Sequence, residues 1–205
     1  MSDTQQNPSR RSFLRGAPLL ATGALAACGQ AQQQTTAPAV ETRQHYKWKM
    51  VTTWPKNFPA LGTGANYLAE SIQAMSGGRL EIKVYGAGEL VPASGVFDAV
   101  SGGTAEMGHG AAYYWKGKHE ATQFFAAVPF GLNAAEINGW LRYGGGQPLW
   151  DELYAQFGLK GFPVGNTGVQ MGGWFNREIN ALDDFKGLVM RMPGLGGEVL
   201  RGIGA

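Results

Sequence analysis

One arginine set between two methionines, Met190-Arg191-Met192, is the side chain with the most chemistry to offer. A small carboxylate presents two coplanar acceptor oxygens, and a guanidinium fork meets both with charge-assisted hydrogen bonds that a lysine cannot reproduce. A lone guanidinium in an apolar strand is costly, so Arg191 asks for an anion; the alternative is an ordinary ion pair with Asp183, Asp184 or Glu198. Asn166, flanked by Gly165 and Gly168, reads either as an amide donor to the ligand's second oxygen or as a turn residue. Tyr113 and Tyr114 follow Gly108-His109-Gly110-Ala111-Ala112 at the C-terminal end of an expected strand, where α/β sheets present ligands. Either phenol then reaches across a cleft or packs on the surface. Trp54 and Trp174 are candidate walls of that cleft.

Other chemistry has little to stand on. His45, His109 and His119 lack metal-ligand spacing, and His109, with no companion, reads as structural. No phosphate loop and no Gly-x-Ser-x-Gly elbow occurs, and the clusters Gly144–Gly146 and Gly194–Gly197 do not complete a dinucleotide fingerprint. With no nucleophile and base placed in one motif, a non-enzymatic binding protein is the leading reading. An exported enzyme acting on small carboxylic acids is the alternative, and a structural lipoprotein the third.

The chain of 205 residues is 44% hydrophobic and 16% charged, enough for a packed core. Its net charge of +2 comes from Arg10, Arg11 and Arg15 against Asp3, so the remainder is neutral and lacks the basic excess that a nucleic-acid surface needs. Residues 1–28 read as a twin-arginine export signal, Ser9-Arg10-Arg11-Ser12-Phe13-Leu14-Arg15, followed by a short apolar stretch. The stretch ends at Leu25-Ala26-Ala27-Cys28, a lipobox-like sequence in which Cys28 is the lipidation candidate; ordinary signal cleavage nearby is the alternative. Residues 29–44 read as a Gln-rich tether. A chain with one cysteine forms no internal disulfide.

From His45 the patterning alternates strand and helix. Period-two alternation marks strands at Tyr46–Met50 and Leu80–Val84, and the Ala65, Leu68, Ala69, Ile72, Met75 stripe marks a helix stopped by Gly77-Gly78. This βαβ unit implies a largely parallel sheet, an α/β fold. A short helix near Val96–Val100, a strand over Ala105–Gly108, and helices over Ala134–Tyr143 and Pro148–Phe157 follow. Further strands are expected over Leu159–Val164, Gln170–Asn176 and Gly187–Met192, then a helix from Leu195 inside which the chain stops. The expected organisation is a first α/β domain over residues 45–164, then a hinge and the start of an incomplete second domain over 165–205.

The segment Gly165-Asn166-Thr167-Gly168-Val169-Gln170-Met171-Gly172-Gly173-Trp174-Phe175, with Leu188-Val189-Met190-Arg191-Met192-Pro193-Gly194, resembles the substrate-binding proteins of tripartite ATP-independent periplasmic (TRAP) transporters. Pro129-Phe130-Gly131-Leu132 and Trp140–Gly146 extend the match, which runs from about Tyr46 to the end of the chain. The resemblance is nearest to the subgroup that binds 2-oxo acids such as pyruvate, or 2-hydroxy acids such as lactate, with a metal ion. It implies a periplasmic-binding-protein fold of two α/β domains around a hinge and a receptor that hands its ligand to a membrane permease. It places Arg191 on the ligand carboxylate and gives Gln170, near the ligand, an amide oxygen for Na⁺ or Ca²⁺, with no organic cofactor; the alternative for Gln170 is a hydrogen bond to a neighbouring strand. It also implies a longer chain than this one, and dimers by helix exchange in the full-length protein. Poor solubility is expected of the 205-residue chain alone.

Overall fold

The computed structural model describes residues 44–205; the twin-arginine segment, Cys28 and nearly all of the tether lie outside the described residues. Three strands, β1 (Tyr46–Thr52), β2 (Leu80–Tyr85) and β3 (Met107–His109), form a parallel sheet in the order β2-β1-β3. The register pairs Tyr46 with Leu80 at one end and Thr52 with His109 at the other. Parallel neighbours need crossover connections, and α1 (Leu61–Met75) and α2 (Val96–Ser101) supply them.

The central strand is buried on both faces where it counts. Successive side chains of a strand point to opposite sides, so Met50 joins Ala65, Ala69 and Ile82 on the α1 side. Val51 enters a second cluster with Val96, Phe97, Trp115, Leu141, Trp150 and Leu153. At the start of β1 the same alternation faces solvent, where Lys47 lies opposite Glu81 and pairs with it at 3.6 Å. Gly77 and Gly78, with φ of 61° and 79°, end α1 in the left-handed conformation that glycine adopts without strain.

α3 (Ala134–Tyr143) begins at a capping box: the Asn133 side chain accepts from the backbone of Ala135 and Glu136, and Glu136 accepts from the Asn133 N–H. It packs on α4 (Gly146–Ala155). Phe125 stacks on Trp140 and on Trp150, with centroids 5.7 and 5.2 Å apart, which joins the two helices to the turn before them. No helix among the described residues is long and apolar enough to cross a membrane.

The expected elements up to α4 are all present, but the three strands expected over Leu159–Val164, Gln170–Asn176 and Gly187–Met192 are not. A strand exists by virtue of its ladder, and no described residue offers these segments one; strand propensity alone does not hold a segment extended in a sheet. Their backbone bonds are local turns instead, such as Leu188 N–H to Phe185 O, or run from Gly187 N–H to Gly204 O at 2.7 Å. Arg191 therefore does not sit in an apolar strand; it is exposed on an irregular segment. The last helix, α5 (Gly194–Gly202), begins where expected but ends within the chain, where Ile203, Gly204 and Ala205 bond back to its final carbonyls.

Candidate functional site

Two strand ends and one turn build the site. β1 and β3 finish side by side, and past β1 the Thr53 N–H donates to His109 O at 3.0 Å. This brings the next side chain, Trp54, onto the His109 ring: indole Nε1 donates to His109 Nδ1 at 2.6 Å. An indole N–H only donates, so His109 Nδ1 is the acceptor and the imidazole is neutral with its proton on Nε2. Burial pushes the His109 pKa down, in keeping with that state.

Beyond His109 the chain makes a 3₁₀ turn, Ala112–Trp115, whose first and last residues are buried in the core. The two between them, Tyr113 and Tyr114, are left half-buried, Tyr114 packing against the edge of that core. Their rings meet edge to face at 4.8 Å, and Tyr114 lies 6.0 Å from Trp54. Burial, reinforced by the neighbouring Tyr114 phenol and opposed by Arg191, pushes the Tyr113 pKa up to about 12. Tyr113 is thus a protonated phenol at any physiological pH.

Arg191 arrives from the other side. Its guanidinium lies 5.7 Å from the centre of the Tyr114 ring, and Nη2 reaches the Tyr114 hydroxyl at 3.4 Å. Gly194, three residues on, has φ of 62° and presses on Tyr113: a Cβ there would stand 3.0 Å from Tyr113 Cβ. Only glycine combines that backbone with that approach. α5 then docks on the tyrosine turn through an ion pair between Lys116 and Glu198. Gln123, almost fully buried, leaves Oε1 without a partner in the described structure, near the same glycine.

The acids that Arg191 had as alternative partners are engaged elsewhere. Asp183 pairs with Lys186, and Glu198 with Lys116 and Arg201. Asp184 accepts from the backbone N–H groups of Asn180 and Ala181, which lowers its pKa. Among the described residues Arg191 has a phenol and no carboxylate.

The structure brings Tyr113, Tyr114 and Arg191 together but leaves Asn166 and Gln170 apart from them. Asn166 Oδ1 accepts from the Gly168 N–H at 2.7 Å, the turn role, and Gln170 Nε2 donates to Thr167 Oγ1 at 2.6 Å; both side chains are exposed. Trp174 is 90% exposed and walls nothing, whereas Trp54 does line the tyrosines. His109, expected to be without a companion, has one in Trp54. The signal for that bond is the pairing of Thr52 with His109 across β1 and β3, which no periodicity within either segment reveals. An apolar cavity of about 600 Å³, lined by Phe124, Phe125, Val128, Leu132, Ile137 and Trp140, lies away from Arg191.

No group of three or more His, Cys, Asp or Glu residues among those described is placed to hold a metal ion. Gln170 contributes one amide oxygen, and a hard cation such as Ca²⁺ takes about six to eight. The described residues do not by themselves make a metal site.

Comparison with known proteins gives the arrangement its context. A monocarboxylate 2-oxoacid-binding periplasmic protein of Nostoc sp. is 44% identical over 198 residues, covering 95% of this chain and 53% of the relative. A TRAP periplasmic solute binding protein from Pseudoalteromonas atlantica, solved with bound sodium and pyruvate, superposes with a TM-score of 0.77 at 50% identity over 79% of this chain and 49% of that one. One from Colwellia psychrerythraea, solved with bound calcium and pyruvate, gives 0.77 at 49% identity with the same coverage. The chain thus spans about half the length of these relatives. Its fold is the periplasmic-binding-protein-like, mixed α/β fold of TRAP solute-binding proteins. The model of the DctP family, bacterial extracellular solute-binding proteins of family 7, matches residues 50–205, and the chain belongs to that family.

Proposed function

We propose that the protein is the extracytoplasmic solute receptor of a TRAP transporter and that it takes a small 2-oxo or 2-hydroxy monocarboxylate, such as pyruvate or lactate. The observation that carries this reading is the Arg191 guanidinium lying against the Tyr114 phenol, beyond the C-terminal ends of β1 and β3, with no acidic side chain among the described residues to neutralise it. An exposed guanidinium backed by an aromatic face is held in direction while its fork stays available to two carboxylate oxygens. The protonated phenol of Tyr113 adds a neutral donor to an anion without adding charge. Relatives solved with pyruvate support this ligand class.

Asn166 and Gln170 complete the site only if their segment closes on the tyrosines. Two lobes, divided near residue 164, would then meet around the acid, with Asn166 donating to its second oxygen. A ligand that touches both lobes only when they meet favours the closed form by its differential affinity. Gln170 would place its amide oxygen near the ligand and offer it to Na⁺ or Ca²⁺, in keeping with the cations in the two solved relatives. The closed receptor passes its ligand to membrane permease subunits in the periplasm, reached by the twin-arginine route. A lipid anchor at Cys28 and a homodimer of the full-length protein belong to the same reading. It includes no nucleic-acid partner, no organic cofactor and no catalysis: the family is one of transport receptors, and the one histidine at the site spends its free lone pair on Trp54.

Titration calorimetry of the full-length protein with pyruvate, lactate and a dicarboxylate, with and without Na⁺ or Ca²⁺, tests the reading. Tight binding of a monocarboxylate at one site, strengthened by one of the cations, is expected. Binding of no small acid overturns it, and conversion of a bound acid into product would favour the exported-enzyme alternative.

A further inference from the structure

We infer that His109 is a positioning residue of the acid site, acting through Trp54 and Tyr114, and that ligand affinity falls when its imidazole takes up a proton. The inference rests on the receptor reading above. Its basis is a run of contacts that starts away from the ligand and ends on Arg191.

His109 Nδ1 accepts from Trp54 Nε1 at 2.6 Å, with the rings 5.9 Å apart and nearly perpendicular. The backbones on both sides are pinned: His109 O accepts from Thr53 N–H, and Trp54 O accepts from Ala87 N–H at 2.8 Å and from Thr52 Oγ1 at 2.9 Å. With both main chains held, this side-chain bond is the polar contact that orients the indole, beside its packing on the His109 and Tyr114 rings. The indole in turn backs the Tyr114 ring at 6.0 Å, and Tyr114 carries Arg191 over its face.

Because indole Nε1 has a hydrogen and no lone pair to accept with, the bond requires a bare Nδ1. A proton there would set N–H against N–H and release the indole. The proton comes from solvent and goes to Nδ1; no other group changes state. The titratable groups on the surrounding elements do not supply a substitute acceptor. Tyr113 and Tyr114 face the pair from the 3₁₀ turn, with Arg191 beyond them. Asp98 on α2 is held by Lys118, and at the far end of β3 Glu106 accepts from the Lys49 backbone. None of these hydrogen-bonds to the imidazole among the described contacts.

The test uses two replacements of opposite character. In His109→Asn the side-chain oxygen stands near the place of Nδ1 and accepts from Trp54 without titrating; His109→Leu accepts nothing. Pyruvate affinity of the full-length protein is measured between about pH 8 and about pH 5.5, where the carboxylate stays ionised and only histidine titrates. The Trp54 indole N–H is followed over the same range by nuclear magnetic resonance and identified by its loss in Trp54→Phe. The wild type is expected to lose affinity only toward the acid end of that range, because burial holds the His109 pKa below the ordinary histidine value, with the loss growing toward about fivefold to tenfold, the worth of one hydrogen bond, as the imidazole charges and the indole resonance moves. His109→Asn should keep near-normal affinity and respond to pH in neither measurement. His109→Leu should already show the loss at neutral pH. Identical pH profiles for wild type and His109→Asn, or an indole resonance indifferent to pH, overturn the inference and leave the receptor reading standing. Failure of pyruvate, lactate and every other small acid tried to bind at any pH removes both.

Discussion

Residues 44–159 and residues 160–193 are built to opposite standards. In the first stretch each strand has a ladder partner and the large apolar side chains close on one another, as in the Phe125, Trp140, Trp150 stack. In the second, Val169, Trp174 and Val189 are each at least 90% exposed, and the backbone is held by turns. Yet the second stretch carries Asn166, Gln170 and Arg191, while the first supplies the tyrosine platform. The division puts Tyr113 and Tyr114 on the packed stretch and Arg191, the proposed carboxylate partner, on the exposed one. Exposed apolar side chains and a backbone held by turns mark the second stretch as the one with less local support against opening.

The largest effect that would sharpen this contrast is on affinity. Arg191→Ala should weaken pyruvate binding by at least about 100-fold, roughly 3 kcal/mol for a charged, two-bonded contact, while the melting temperature of the ligand-free full-length protein stays near the wild type. Arg191→Lys should recover only part of the loss, since a lysine lacks the fork. A large drop in melting temperature would instead mark Arg191 as structural and break the division.

The next effect is on stability. Leu153→Ala, in the buried cluster with Trp150 and Tyr154, should cost about 2 to 3 kcal/mol in urea denaturation of the 205-residue chain. Val189→Ala, 98% exposed, should stay within about 0.5 kcal/mol. Equal costs would show that residues 160–193 are packed after all. The apolar side chains they expose should also make this chain bind a hydrophobic dye and aggregate readily.

The smallest effect is on alkaline titration. Tyr113 has its folded pKa raised to about 12, against about 10 for a free phenol, so the stability it contributes is fully present below about pH 10. That stability is lost as pH rises through the folded value, because the unfolded state releases the proton first. Tyr113→Phe should remove this part of the decline above about pH 10. Arg191→Ala should raise the Tyr113 pKa further, since the guanidinium favours the phenolate.

How much was legible in advance follows the same division. The alternation of Tyr46–Met50 and Leu80–Val84 and the helical stripe from Ala65 to Met75 located the β1-α1-β2 unit, because each pattern repeats within one element. The same reasoning over Gln170–Asn176 and Gly187–Met192 produced strands that are absent, since alternation states which face a strand would bury and not whether a neighbour exists to bury it. The arginine stood out as a candidate partner for an anion, but its resting place on Tyr114 was not legible, for 77 residues separate the two. His109 reads as an isolated histidine until Trp54, 55 residues away, is seen against it.

Local spacing therefore determined the element types as far as α4, the central βαβ unit and, through the motifs around Gln170 and Arg191, the family. Tertiary structure alone decided which of the motif residues stand together, that the imidazole is a neutral acceptor, and that the arginine meets a phenol and no acid among the described residues. The reason is that helix and strand patterns are written in residues three or four, or two, apart, whereas a hydrogen bond between side chains on separate elements depends on how those elements pack.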